Sequence, residues 1–456
     1  MAAQDEADRR DIPAHGETDG KSGARGPSRR QVLQAAAVSG AALAGTTILE
    51  GTSSVRASAR SRASGTIKIG FVSPRTGPAA GFGEPDGYVL GLAKKAFARG
   101  LTIAGSHYSV EIIDKDSQSG PRSAQVANDL INGDQVDLLL TTSAPETVNP
   151  VSDAAEASGV PCVSTVVPWE SWYFGRQANP AKPVPFKFTY HFCFGVAQFA
   201  DAYTHLWPEV ATNRKVGVMW PNDADGNAIR ANLGPALKKA GYTIVDPGAY
   251  TDGTNDYSSQ ISKFKSENCQ IFNTFPIPPD FATFWRQAAQ QGYKPKIAQI
   301  AKTGLFPSQV DSLGSIGANL ASAVYWGPTW PYRSSLTGVT SKDLASGYEH
   351  SAGKQWNQQL GASLALFDVA AAVLVASGNP KNKAKVAAAM ARLSVDTPLG
   401  HLAWGKGPLP PNVVATPIIG GQWRAVKGSK YQLDFVICEH ASDPRVPIAS
   451  KLTPYS

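Results

Sequence analysis

The sequence predicts an α/β protein of two successive lobes, each a mostly parallel sheet with helices on both faces. Three observations lead there. The chain runs to 456 residues, too long for one ordinary core. Apolar residues make up 42% and charged residues 17%, a balance that suits a packed globular chain and argues against general disorder. Strand-like and helix-like patterns alternate from about residue 67 to residue 300, in two series parted by an irregular stretch.

In the first series, Ile67 to Val72 reads as a strand ending at the turn signal Ser73-Pro74, and Gly87 to Ala98 has helical spacing. Tyr108 to Ile113 is the next strand. Pro121 opens a helix to about Asn132, because proline suits the first helical position. Strand Val136–Leu140, helix Glu146–Ser158 and the short strand Pro161–Thr165 follow. Trp169 to Pro185, rich in aromatics, glycine and proline, reads as a long loop near a domain crossing, and Phe186 to Phe194 as a strand. The second series places helices at Gln198–Trp207, Asn227–Ala240, Tyr257–Ser266 and Pro279–Gln290. Its strands fall at Lys215–Trp220, Tyr242–Asp246, Gln270–Phe275 and Lys296–Ile300. Beyond Gly317 the pattern loosens. Helices are expected at Gly361–Ala376 and Lys381–Leu393, and a β-like end at Gly400–Cys438.

The N-terminus carries a different signal. Met1 to Pro27 is polar and without apolar period; Ser28-Arg29-Arg30-Gln31-Val32-Leu33 then precedes a mild apolar run, Ala35 to Leu49, and the small residues Ala57-Ser58-Ala59. This order resembles a disordered extension and twin-arginine signal peptide over 1–59, read by the twin-arginine export machinery and cleaved near Arg60. No cysteine follows the apolar run to accept a lipid, and no later stretch reaches 18 unbroken apolar residues. The expected mature chain is therefore soluble and extracytoplasmic, periplasmic or extracellular.

The net charge is +7, with Met1–Ala59 neutral and the basic residues scattered. A nucleic-acid face needs a concentrated patch, so none is expected. Cys162, Cys193, Cys269 and Cys438 form no CxxC pair, which leaves a zinc site without a basis. Two readings stay open for them: a Cys162–Cys193 disulfide, or four buried thiols. There is no GxSxG, HExxH or Walker loop, and no two histidines stand four apart. Neither catalysis nor any metal or other cofactor is expected, although dispersed triads escape such a search.

Ile67-Lys68-Ile69-Gly70-Phe71 followed by Thr76-Gly77-Pro78-Ala79-Ala80-Gly81-Phe82-Gly83 resembles the opening of type I periplasmic binding proteins, more narrowly the branched-chain amino acid and aromatic-compound receptors of ABC importers. The likeness extends through Asp134–Val163 and Lys215–Gly241 and returns at Pro398–Trp404. It implies two Rossmann-like lobes joined by three hinge crossings: 60–189 plus 325–395, and 190–324 plus 396–456. It implies a monomer that traps a small-molecule ligand and delivers it to a membrane permease. A ligand-sensing regulatory protein, or an exported enzyme on the same scaffold, are the alternatives.

Ligands of such sheets lie beyond the carboxyl ends of the strands. The resemblance therefore implies Phe82 as a ligand cover, Ser143, Ala144, Glu146 and Thr147 after the third strand, and Thr165 and Trp169 after the fourth. In the second lobe it implies Trp220, Asp225, Phe275 and Lys302, with Trp326 at the third crossing. In amino-acid receptors an acidic residue near the Lys302 position meets the ligand's α-amino group. Ile300-Ala301-Lys302-Thr303-Gly304 holds no carboxylate. Lys302 either points to solvent or attracts an anion. The second option, with many aromatics on these loops, favours an aromatic or apolar carboxylate lacking an essential α-amine.

Overall fold

The computed structural model of the chain describes residues 64–178 and 186–456; the twin-arginine segment and its cleavage site lie outside them. The first series runs β1 (Gly65–Ser73), α1 (Asp86–Phe97), β2 (Leu101–Ile103), β3 (Ser106–Asp116), α2 (Ser123–Asn128), β4 (Leu138–Thr142), α3 (Pro145–Ala157), β5 (Cys162–Thr165), α4 (Trp169–Tyr173) and β6 (Thr189–Phe192). The second runs α5 (Val196–Leu206), β7 (Lys215–Met219), α6 (Ala224–Lys239), β8 (Thr243–Val245), α7 (Ser258–Ser266), β9 (Ile271–Thr274), α8 (Pro278–Gln290), β10 (Ile297–Ile300), α9 (Pro307–Asp311) and β11 (Ala321–Val324). The remainder adds α10 (Ser341–Ala352), α11 (Gln359–Ala376), α12 (Lys383–Met390), the hairpin β12 (Ser394–Thr397) and β13 (Gly400–Ala403), then β14 (Val413–Val414), β15 (Ile419–Arg424) and β16 (Asp434–Ile437).

The strands form two seven-stranded sheets, ordered β14-β6-β5-β4-β1-β3-β2 and β16-β15-β11-β10-β9-β7-β8. Five parallel strands of each repeat one topology, β6-β5-β4-β1-β3 in the first sheet and β11-β10-β9-β7-β8 in the second, with the first strand of each five lying between its second and third. Their central strands are apolar runs buried on both faces, as parallel sheets covered by helices require; every residue of β4 and of β9 is buried. Among the described residues, only β2 in the first sheet, and β15 and β16 in the second, join by antiparallel pairing.

The chain passes between the sheets three times: after β6, after β11 and between β14 and β15. This corrects two expected boundaries, the first because β6 pairs with β5 and keeps residues 190–192 in the first sheet. The tail does not join the second lobe at 396, because β14 pairs in parallel with β6 of the first sheet; the return comes only at β15. The 179–185 part of the expected loop lies outside the described residues, but Trp169–Tyr173 is a helix rather than irregular chain. Its Trp172 is buried, stacked on His191 of β6 at 5.0 Å and held by a hydrogen bond from Nε1 to Ser152 Oγ. Tertiary packing, not local propensity, makes that turn helical. Helix α11 is long and apolar enough to cross a membrane by composition, yet 78% of it is buried in the protein as the core helix of the first lobe. All four cysteines are buried and unpaired.

Candidate functional site

Where a sheet's first strand sits between its second and third, the connections leave it in opposite directions and open a crevice beyond its carboxyl end. Both sheets have such a switch point, and the loops leaving it carry unusual backbone. Ser143 (φ 136°), Ala144 (φ 66°), Val166 (φ 59°) and Lys302 (φ 45°) adopt conformations that L side chains rarely take. They stand just after β4, β5 and β10, and each costs about 1–3 kcal/mol that the surrounding fold must offset. Strain of this kind gathers where a binding geometry is imposed.

Between these loops lies a crevice with about 420 Å³ of empty space, open solvent included. The first lobe contributes Phe82, Val166 and Pro168, and the first crossing contributes Phe194. The second lobe contributes the apolar Phe199, Phe275 and Leu305, and two charged residues, Asp225 and Lys302. Phe82 is buried and meets the ring of Phe306 edge-on, at 4.7 Å and 86°, so the lobes touch across the cleft.

The charges come from two loops of the second lobe. Asp223 caps α6, its Oδ1 accepting the Gly226 amide at 2.6 Å. A Cβ at position 226 would collide with the Pro221 carbonyl, so glycine keeps this turn tight. The cap brings Asp223 and Asp225 to Lys302, whose Nζ lies 3.2 Å from Asp223 Oδ2 and 2.9 Å from Asp225 Oδ2. The lysine is 9% exposed. Burial works against its charge, but the two carboxylates and Glu146 outweigh it and hold the pKa well above the usual lysine range. Burial pushes Asp225 up against the downward pull of Lys302. Glu146, from the first lobe, is also raised by desolvation, with Lys302 opposing.

Lys302 thus neither points to solvent nor stands free for an anion. The carboxylates missing from its own loop are supplied by the loop after β7, in space rather than in sequence. The premise of the carboxylate-ligand expectation does not hold, since the lysine's charge is already met twice.

The structure gathers Phe82, Asp225, Phe275 and Lys302 into the cavity wall, with Glu146 close enough to act on their charge. It sets the other seven expected positions elsewhere. Ser143 and Thr142 bond each other at 2.6 Å, Thr147 meets Ser117 at 2.8 Å, and Thr165 Oγ1 donates to the Phe192 carbonyl at 2.6 Å. The Ala144 amide turns to the Val166 carbonyl. Trp169 packs with Tyr173 and Phe174. Trp220 and Trp326 are core residues, their indole N–H groups donating to Asn273 Oδ1 (2.9 Å) and Ser341 Oγ (3.1 Å). Sequence reasoning missed Asp223, whose Asn-Asp-Ala-Asp-Gly setting reads as a turn, and the small or aliphatic wall residues Val166, Ala301, Leu305 and Ala323, which carry no chemical signature.

A model of the periplasmic binding protein family matches residues 66–412. The chain belongs to the periplasmic binding protein family. Membership implies an exported, periplasmic protein. Among curated relatives, this family member is 23% identical over 205 residues to Leu/Ile/Val-binding protein homolog 3 of Brucella melitensis, covering 45% of its own chain and 53% of the relative; it thus spans about half the length of that relative. Among solved structures, the leucine-binding protein LivK of Thermotoga maritima matches 83% of this periplasmic binding protein and 99% of its own chain, at TM-score 0.64 and 18% identity. An ABC-transporter solute-binding protein of R. palustris, solved with 4-hydroxybenzoate, matches 84% and 98%, at TM-score 0.67 and 15% identity. These structural likenesses establish the fold: two parallel-dominated lobes of the type I periplasmic binding protein kind.

Proposed function

We propose that the chain is the extracytoplasmic solute-binding receptor of an ABC importer, exported by the twin-arginine machinery, that closes its two lobes on a small organic solute with an apolar body and passes it to a membrane permease. One observation carries the reading: both lobes, at equivalent strand ends, wall a single mostly apolar cavity. Hinge closure around such a crevice is how two-lobed binding proteins sequester ligands. The names of the relatives, covering leucine and hydroxybenzoate binding, agree with a receptor for compact organic molecules.

A thermal-shift screen of the purified chain over amino acids, aromatic acids, amides and amines is expected to give a stabilising hit, since a ligand bound only to the native state raises the melting point. The hit should vanish in Ala323→Phe, which fills the cavity. A hit that survives this substitution places binding elsewhere. Lysines at both Arg29 and Arg30 are expected to leave the chain in the cytoplasm.

One arrangement speaks for the enzyme alternative. Ser394 Oγ lies 2.8 Å from His401 Nε2, and His401 Nδ1 lies 2.6 Å from Asp396 Oδ1, in the connectivity of a hydrolytic triad. It sits on the β12–β13 hairpin, with His401 and Asp396 side chains 56% and 78% exposed, and shares no residue with the cavity. Cross-strand pairing on a solvated face accounts for it. Hydrolysis of p-nitrophenyl acetate that disappears in Ser394→Ala would favour the enzyme.

A further inference from the structure

We propose that the cleft selects a compact apolar solute bearing a protonated primary or secondary amine, and discriminates against carboxylates; this rests on the cleft being the solute site. Three independent features converge.

The first is an unpaired acceptor. Asp225 is 2% exposed and lines the cavity, and one oxygen, Oδ2, is taken by Lys302. The other, Oδ1, is buried without a hydrogen-bond partner among the described residues. The Ser171 hydroxyl across the cleft favours the ionised acid, yet it makes no bond of ordinary geometry and is also without a partner. A buried carboxylate oxygen left so is costly until a donor reaches it. An ammonium N–H supplies a charge-assisted bond there.

The second is the sign of the surroundings. One lysine faces Asp223 and Asp225, and its charge also reaches Glu146, Asp252 and Asp280. An anion entering the cleft meets one cation that two carboxylates already hold. A cation meets an excess of carboxylates and, around them, the rings of Phe82, Phe194, Phe199 and Phe275, whose π faces also favour positive charge.

The third is the lack of an anion cradle on the opposite wall. The first lobe's strand-end hydroxyls, on Thr142, Ser143, Thr147 and Thr165, are bonded within that lobe, and none lines the cavity. Helix α3 begins with Pro145, which has no N–H, behind an Ala144 amide that is turned away. The helix end that would otherwise receive a carboxylate offers fewer free amides than usual.

The test is calorimetric titration of the purified full-length chain with matched pairs: isopentylamine against isovalerate, benzylamine against benzoate, with isovaleramide and benzamide as neutral partners. At least one amine is expected to bind tenfold or more tightly than its carboxylate. Asp225→Asn should weaken that amine about tenfold or more, in a chain that circular dichroism shows still folded although Lys302 keeps only Asp223 as a close partner. Should this variant fail to fold, Glu146→Gln, which keeps the cavity shape, should weaken the amine a few-fold and the amide not at all. Carboxylates or amides that bind as well as the amines overturn the amine assignment and leave the receptor reading standing. A full solute screen without any binding overturns both.

Discussion

The two lobes share one topology, but they present different chemistry to the cavity between them. In the first lobe, the polar groups at the strand ends are bonded to each other: Thr142 to Ser143, Thr147 to Ser117, Thr165 to the Phe192 carbonyl. What it presents to the cavity is apolar: Phe82, Val166 and Pro168. In the second lobe, the equivalent ends bring three charges together and leave one carboxylate oxygen without a partner. The contrast teaches that a duplicated scaffold fixes where a ligand sits, whereas the satisfaction of polar groups decides which lobe reads its chemistry. The first lobe supplies shape; the second supplies sign.

The sharpest way to break this division is at Lys302. Lys302→Met keeps most of the side-chain volume but leaves Asp223 and Asp225, 9% and 3% exposed at their side chains, facing each other without a cation. Removing one partner of a buried ion pair costs about 3–5 kcal/mol. The loss should grow with pH, because the orphaned acids are ionised at high pH and take up protons at low pH. Chemical denaturation at pH 5 and pH 8 measures it. A loss equal at both pH values would show that the lysine acts by packing alone.

Next in size is Glu170, on α4 beside the first crossing. One oxygen accepts the Val196 amide at 3.0 Å and the other has no partner. Burial pushes its pKa up from 4.5 to about 7, against the pull of its backbone hydrogen bonds. A carboxyl whose folded pKa is raised favours folding below its unfolded value. That contribution is lost as pH rises from about 4.5 to about 7. Glu170→Gln should remove the dependence, so the variant gains on the parent across this window, by up to about 3 kcal/mol at pH 8. Denaturation midpoints at pH 4.5, 6 and 8 check it, and a gap that does not widen with pH contradicts it.

Much of the fold was legible because it rests on periodicity. The alternation of Ile67–Val72, Val136–Leu140 and Lys215–Trp220 with helical stretches is written in the local sequence; the first lies within β1, and the other two overlap β4 and β7. The hairpin strand β2 and helix α4 were not, because the first is three residues long and the second is helical only where Trp172 finds His191. Helix α10 did carry a signal, Thr340 capping it from Asp343, within a stretch whose aromatics and prolines masked it. The place of the cavity beyond the strand ends was legible, and the chemistry of its wall was not. Strand ends can be counted along a chain, but whether Lys302 is paired depends on a loop 79 residues away. Trp220 shows the same limit. It stands at a strand end, but faces the core, and Trp220→Phe should strand Asn273 Oδ1. The cost to stability is about 1–3 kcal/mol, with solute affinity unchanged within twofold. A large fall in affinity would return Trp220 to the cavity.

The smallest effect sharpens the question of what the first lobe's shape does. Phe82 touches the cavity and also the ring of Phe306 in the other lobe. As a wall alone, its loss matters to the solute; as a latch, it matters to closure. An edge-to-face pair is worth about 0.5–1.5 kcal/mol beyond the area it buries. Phe82→Leu should therefore weaken solute binding about two- to tenfold, mostly through faster release, because the contact exists only once the lobes have met. The double variant with Phe306→Leu separates the roles. Coupled partners lose their shared energy once, so the pair should weaken binding by less than the product of the single effects. Strictly multiplicative losses would mean that each ring serves the solute independently, and that closure is held by the charged loops of the second lobe instead.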